Sequence, residues 1–160
     1  MRITEEFVFF WSDKDYLSNF YPSSFIVDNH KYRCNEEYIM KKKALLFDDM
    51  DIFHKISLAK TPYEMKKLGR QVKNFDEATW LQYRDEILYD GLLEKFSQNE
   101  EIKLLLLNTK NKQLVEASIY DKIYGVGLDE NDDRILFPSN WKGLNLLGNT
   151  LMKVRDVLKY

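Results

Sequence analysis

Phe25-Ile26-Val27-Asp28-Asn29-His30-Lys31-Tyr32-Arg33-Cys34-Asn35-Glu36-Glu37-Tyr38-Ile39-Met40-Lys41-Lys42-Lys43 changes its period part-way along, and that change sets the fold class. Phe25–Asp28 and Lys31–Cys34 are rich in aromatic and β-branched residues, and Asn29-His30 between them suits a turn, so the first half reads as a hairpin. Asn35 is a candidate helix cap. Beyond it Glu36 to Phe47 reads as a helix, with Glu36 and Glu37 in its positive first turn. A hairpin running straight into a helix points to an α+β chain.

Outward from this stretch, Phe7–Trp11 and Gln113–Ser118 also read as strands. Helices are expected near Asp51–Ala59, after the capping box Thr61-Pro62-Tyr63-Glu64 up to a stop at Gly69, and from an Asp76 cap through Phe96. Glu100–Leu107 reads as another, with four consecutive leucines suggesting burial on several faces, and Leu146–Leu158 as a closing amphipathic helix. Tyr120 to Gly143 is irregular. The reading is a helix-rich α+β single domain, residues 1–160, packed around a small antiparallel sheet.

Bulk composition narrows the function classes. The chain has 160 residues, 44% of them hydrophobic and 14% aromatic, enough for a sizeable core. No segment approaches the roughly 20 apolar residues of a membrane span, and the N-terminus lacks a signal-peptide pattern. The single cysteine, Cys34, fits a reducing compartment, so a cytoplasmic location is expected. A net charge of −2 argues against a broad electrostatic hold on nucleic acid, leaving Lys41, Lys42, Lys66 and Lys67 as material for a local basic rim. Lys41 and Lys42 read first as a solvated helix face. His30, His54 and Cys34 have no ligand spacing, so no metal is expected, and no cofactor.

Chemistry concentrates in four stretches. In Leu17-Ser18-Asn19-Phe20-Tyr21 a polar pair sits among aromatics, and Asn19 offers both a donor and an acceptor. On the 36–47 helix, Glu36, Met40 and Lys43 fall on one stripe, so a carboxylate and an amine can reach one small substrate. In Leu114-Val115-Glu116-Ala117-Ser118 an acid interrupts an apolar strand. In Asp121-Lys122-Ile123-Tyr124-Gly125-Val126-Gly127 a Gly-x-Gly allows backbone N–H groups close to a ligand, though it matches neither phosphate-loop nor dinucleotide fingerprint. Each has a plain structural reading as well: an Asn turn, a surface Glu–Lys pair, an outward strand residue and a tight loop.

These stretches, in this order, resemble the YbiA-like family, also called the NADAR domain. The resemblance runs through Leu17-Ser18-Asn19-Phe20-Tyr21, Asn35-Glu36-Glu37-Tyr38 with Lys43-Ala44, Leu68-Gly69-Arg70, Trp80, Lys95-Phe96, Leu114-Val115-Glu116, and Asp121 with Tyr124-Gly125-Val126-Gly127. It closes on Trp141-Lys142-Gly143-Leu144-Asn145-Leu146-Leu147-Gly148 and Leu151-Met152, so it spans nearly the whole chain. Two positions depart: Glu37 stands where the family often has His, and Tyr124 where a Trp is usual. Both bear on the substrate more than on the reaction class.

The resemblance implies a YbiA-like fold and N-glycosidic chemistry on a ribosylated compound. One branch hydrolyses phosphorylated ribosylaminopyrimidine intermediates of riboflavin biosynthesis; another removes ADP-ribose from guanine in nucleic acid. Either is a candidate partner here. Within that frame Glu36 is the expected acid/base or electrostatic carboxylate, Asp121 a second acidic participant, and Lys43 either a charge neutraliser or a Schiff-base nucleophile. Trp80 and Tyr124 are candidate stacking platforms, Arg70 a phosphate clamp and Asn19 a polar contact. Glu116 would orient Lys43 or meet ribose hydroxyls. Phe20, Tyr38, Gly125, Gly127 and Asn145 complete the expected binding set, with Phe20 and Tyr38 equally readable as core. The rival class is a non-catalytic module binding NAD or ADP-ribose.

Overall fold

The computed structural model describes residues 1–160, which gather into two compact units: Met1–Tyr21 with Glu100–Tyr160, and Pro22–Asn99. In chain order the elements are β1 (Arg2–Ile3), β2 (Phe7–Phe10), β3 (Phe25–Val27), β4 (His30–Tyr32), α1 (Asn35–Leu46), α2 (Met50–Leu58), α3 (Pro62–Gly69), α4 (Glu77–Ser97), α5 (Glu100–Leu107), β5 (Gln113–Glu116) and α6 (Leu146–Leu158). Two 3₁₀ turns, Asp133–Leu136 and Pro138–Asn140, punctuate the segment expected to be irregular. The class is α+β, as expected. No helix is long and apolar enough to cross a membrane.

The sheet corrects one expectation. In the first unit β1 pairs antiparallel with β2, but β2 pairs parallel with β5, from Phe7↔Gln113 to Phe10↔Glu116, so this sheet is mixed. The reason is legible in β2, whose residues Phe7, Val8, Phe9 and Phe10 are all buried. A strand covered on both faces reads as a continuous apolar run, which alternation rules do not resolve. Phe7, Phe9, Val115, Ala117, Val126, Leu128 and Ile135 form this unit's core. On α5 only Ile102 and Leu106 are buried, while Leu104 and Leu105 face solvent, so the leucine run is amphipathic rather than buried all round.

In the second unit β3 and β4 form a separate antiparallel hairpin. Its turn is Asp28-Asn29, not Asn29-His30: both residues take positive φ, 50° and 64°, as the tight hairpin turns that match strand twist require. Phe25, Tyr32 and Tyr38 pack as one aromatic cluster under it. The α1 helix begins at Asn35, one residue before the expected start, with Cys34 at the cap and no side-chain capping bond there. Asn35 is fully buried, and two glycines let the other helices come close. A methyl on Gly91 of α4 would overlap Asn35 Oδ1 and sit 2.6 Å from the Tyr38 ring; one on Gly69 of α3 would overlap Met40 Sδ. Gly69 thus serves close packing at the helix end.

The Thr61 and Asp76 caps follow the sequence, and Asp49 adds a third that starts α2 at Met50 rather than Asp51. Asp49, Thr61 and Asp76 accept from the N–H groups of Ile52, Glu64 and Thr79, with Pro62 in the first turn of α3.

Candidate functional site

Burial on α1 separates its acidic and basic side chains into two groups. Glu36 is buried, Met40 lies one turn on, and Lys43 is half-buried at the end of the same stripe. The Lys43 ammonium lies 4.7 Å from the centroid of Phe75 and 5.5 Å from that of Trp80, within cation–π reach of both rings. Burial lowers the Lys43 pKa; the Glu36 carboxylate holds it up and the Arg70 guanidinium pushes it down. Glu36, Lys43, Arg70 and Trp80, four residues expected at the site, are therefore one electrostatic and aromatic constellation inside the second unit.

The opposite stripe is structural. Glu37 accepts from the backbone N–H of Arg33 at 2.8 Å and from its guanidinium at 2.5 Å, and lies 3.4 Å from Lys41 Nζ. Arg33 also donates to the carbonyls of Ala59 at 2.6 Å and Ile56 at 3.0 Å, fastening the end of α2. Lys41 Nζ is 2.9 Å from His30 Nε2 and lies over the Tyr32 and Phe53 rings. Burial raises the Glu37 pKa, but the Arg33 hydrogen bonds and the Lys41 charge outweigh it, and the net shift is downward. Lys41 is only 2% exposed, so it is no solvated face and contributes nothing to a basic rim. Glu37, where the sequence departs from the pattern it resembles, is the acceptor of this ion network. Tyr38 is 4% exposed and packs tilted against Phe25 and edge-on against Tyr32.

The remaining expected residues lie in the first unit. Asn19 is buried, and Phe20 N–H donates to Ser18 Oγ at 3.1 Å in the turn beside it. Asp121 Oδ1 accepts from the N–H groups of Ile123 (2.9 Å) and Tyr124 (2.8 Å), closing its own loop. Asn145, left-handed at φ 50°, accepts from Glu116 N–H at 3.0 Å and donates to the Leu114 carbonyl at 3.0 Å, pinning β5 to the start of α6. The Gly-x-Gly does backbone work: Val126 N–H bonds the Glu116 carbonyl at 3.0 Å, Gly127 sits at φ 74°, and a methyl on Gly125 would lie 2.9 Å from the carbonyls of Asp121 and Glu116. No group of three or more His, Cys, Asp or Glu side chains is arranged to hold a metal ion.

Phe75 is the residue that sequence reasoning missed. It precedes the Asp76 cap of α4, and Trp80 follows that cap by four positions. That is the N′/N4 spacing of a hydrophobic staple, a signal that would have singled out Phe75.

Comparison with known proteins identifies the family. Residues 9–159 match the model of the NADAR domain. The chain is 42% identical to Protein irg-1 of Caenorhabditis elegans over 97% of its own length and 81% of that protein. It is 43% identical to N-glycosidase R617 of Acanthamoeba polyphaga mimivirus over 79% of its own length and 74% of that protein. The solution structure of YbiA from E. coli superposes with a TM-score of 0.79 at 26% identity, covering 99% of this chain and 88% of that one. A family model that takes in nearly the whole sequence, together with relatives above 40% identity, leaves one conclusion: the chain belongs to the NADAR domain family.

Proposed function

We propose that this protein is an N-glycosidase that cleaves the C1′–N bond of a phosphorylated, ribosylated base, with a ribosylaminopyrimidine phosphate as the favoured substrate over ADP-ribosylated guanine. The observation that carries the reading is the half-buried Lys43, with its pKa lowered, held beside Glu36 and Arg70 and between two aromatic rings. Support for a small substrate comes from the net charge of −2 and from the burial of Lys41, which thins the basic rim a nucleic acid would need. The names of relatives such as N-glycosidase R617 support the bond class.

Glu36 acts as acid/base and stabilises positive charge at C1′. The ring-opened sugar presents C1′ as an imine to the base nitrogen. The neutral Lys43 amine adds to C1′, the base nitrogen takes a proton and leaves, and Lys43 holds the sugar as a Schiff base. Water then adds to that carbon and Lys43 departs, so the sum is one water consumed per C1′–N bond broken. Arg70 takes the phosphate through its planar fork.

The test is incubation with a ribosylaminopyrimidine phosphate, NAD, ADP-ribose and ADP-ribosylated guanosine, reading the freed base by mass spectrometry. Base release that is lost in Glu36→Gln and Lys43→Ala is the expected result. Binding without release in the wild type would leave the ligand-binding module instead. Borohydride added during turnover should leave a sugar on Lys43; a clean Lys43 with turnover intact would assign it to charge neutralisation.

A further inference from the structure

We propose that Phe75 is the aromatic platform against which the departing base stacks, and that it selects substrates whose nitrogen-linked group is a planar ring. The inference rests on the N-glycosidase reading and adds to it the residue that recognises the base.

Of the two rings beside the Lys43 ammonium, Trp80 is, with Tyr124, one of the two candidate platforms named from sequence, yet it is only 9% exposed. Its indole is enclosed and its role is to wall the amine. Phe75, whose centroid is nearer the amine at 4.7 Å, keeps 46% of its surface open. In a near-attack geometry the reacting atoms are about 3–3.5 Å apart, and the base is one bond beyond C1′. A base leaving from that carbon therefore lies within about 10 Å of the Phe75 centroid, near enough for its far side to meet the exposed part of that ring, and every base offers a π face to it.

The ring is also held ready. Phe75 packs on the buried Phe47 ring at 5.3 Å. Its loop is fastened on both sides: Lys73 N–H donates to Asp49 Oδ2 at 2.8 Å, and Asp76 accepts from Thr79 N–H at 3.0 Å and Thr79 Oγ1 at 2.6 Å. A platform fixed in advance loses little side-chain freedom when a base arrives. A purely structural Phe75 would be a staple for the start of α4, a role any large apolar side chain fills. Keeping 46% of the side chain exposed beside the site's amine is not needed for that.

The experiment compares wild type, Phe75→Leu and Phe75→Trp on a ribosylaminopyrimidine phosphate and on a ribosyl phosphate carrying a ringless amide. Leucine keeps the staple and removes the π face. The expected result is a KM for the pyrimidine substrate raised roughly 5- to 150-fold in Phe75→Leu, with kcat nearly unchanged, recovery in Phe75→Trp, and no change of KM for the ringless compound. An unchanged KM in Phe75→Leu, or a rise shared by both compounds, overturns the proposal. If the wild type frees no base, the N-glycosidase reading fails by itself. Equilibrium dialysis of the intact pyrimidine substrate then decides: weaker binding to Phe75→Leu upholds the platform, and equal binding ends it.

Discussion

Gly91→Ala tests whether the candidate site depends on the tight seat of α1 against α4. In a solvent-facing helix interior this change would stabilise by about 1 kcal/mol, because alanine is the better helix former. Here the new methyl would overlap Asn35 Oδ1 and sit 2.6 Å from the Tyr38 ring. Neither neighbour can yield cheaply. Asn35 is 0% exposed, and the Tyr38 ring is packed 5.8 Å from Phe25 and 5.0 Å from Tyr32. Overpacking of this kind costs about 1–3 kcal/mol, and the upper half of that range applies where both contacts are enclosed. Subtracting the propensity gain leaves a net loss of about 1–2 kcal/mol. For a chain of this size, that lowers the melting temperature by about 2–8 °C. Circular dichroism melts and urea titration at one protein concentration measure it. Asn35 and Tyr38 flank Glu36 on the same helix, so base release should fall more than stability does; a displacement of 1 Å at a reacting centre costs on the order of 100-fold. A Gly91→Ala protein that melts at or above the wild-type temperature would refute the packing argument.

Two further predictions concern titration. Lys95 is fully buried, and burial lowers its pKa to about 7, with Cys34 raising it in part. The unfolded chain keeps this proton up to its ordinary value near 10.5, so between about pH 7 and 10 the unfolded state binds more protons and stability rises with pH. Urea melts of wild type and Lys95→Met from pH 6 to 9 should converge, the wild type gaining about 1 kcal/mol per pH unit above pH 7 relative to the variant. Parallel pH curves would show that Lys95 titrates normally in the fold. For Lys43, Glu36 raises and Arg70 lowers the pKa. NMR titration of reductively ¹³C-methylated protein should therefore find the Lys43 midpoint shifted down in Glu36→Gln and up in Arg70→Met. Shifts of the opposite sign, or none, would separate these groups electrostatically.

Much of the local structure was legible because it is encoded locally. Leu146–Leu158 shows the apolar stripe of its helix in sequence and forms it with those ends. Asp76 and Thr61 announce the starts of α4 and α3, since a capping oxygen needs only the N–H three residues on. The shared stripe of Glu36, Met40 and Lys43 follows from 3.6 residues per turn alone. What pairing and packing decide was not legible. Nothing in Phe7–Phe10 states that its neighbour is Gln113–Glu116, far along the chain, and parallel to it. Lys41 reads as a solvated charge until Glu37, one turn back, and His30, on β4, draw it into a buried network. Nor does the sequence around Asn145 announce that both ends of its amide bond the β5 backbone.

Periodicity, capping chemistry and family motifs, all short-range signals in the chain, thus determined the helices, the α+β class and the Glu36–Lys43 stripe. Tertiary structure alone decided which face of each helix would lose its water, and so which lysine is fastened in a network and which amine is left beside an open aromatic ring. The physical reason is that desolvation and Coulomb attraction act through space, over contacts whose partners sequence separation does not reveal.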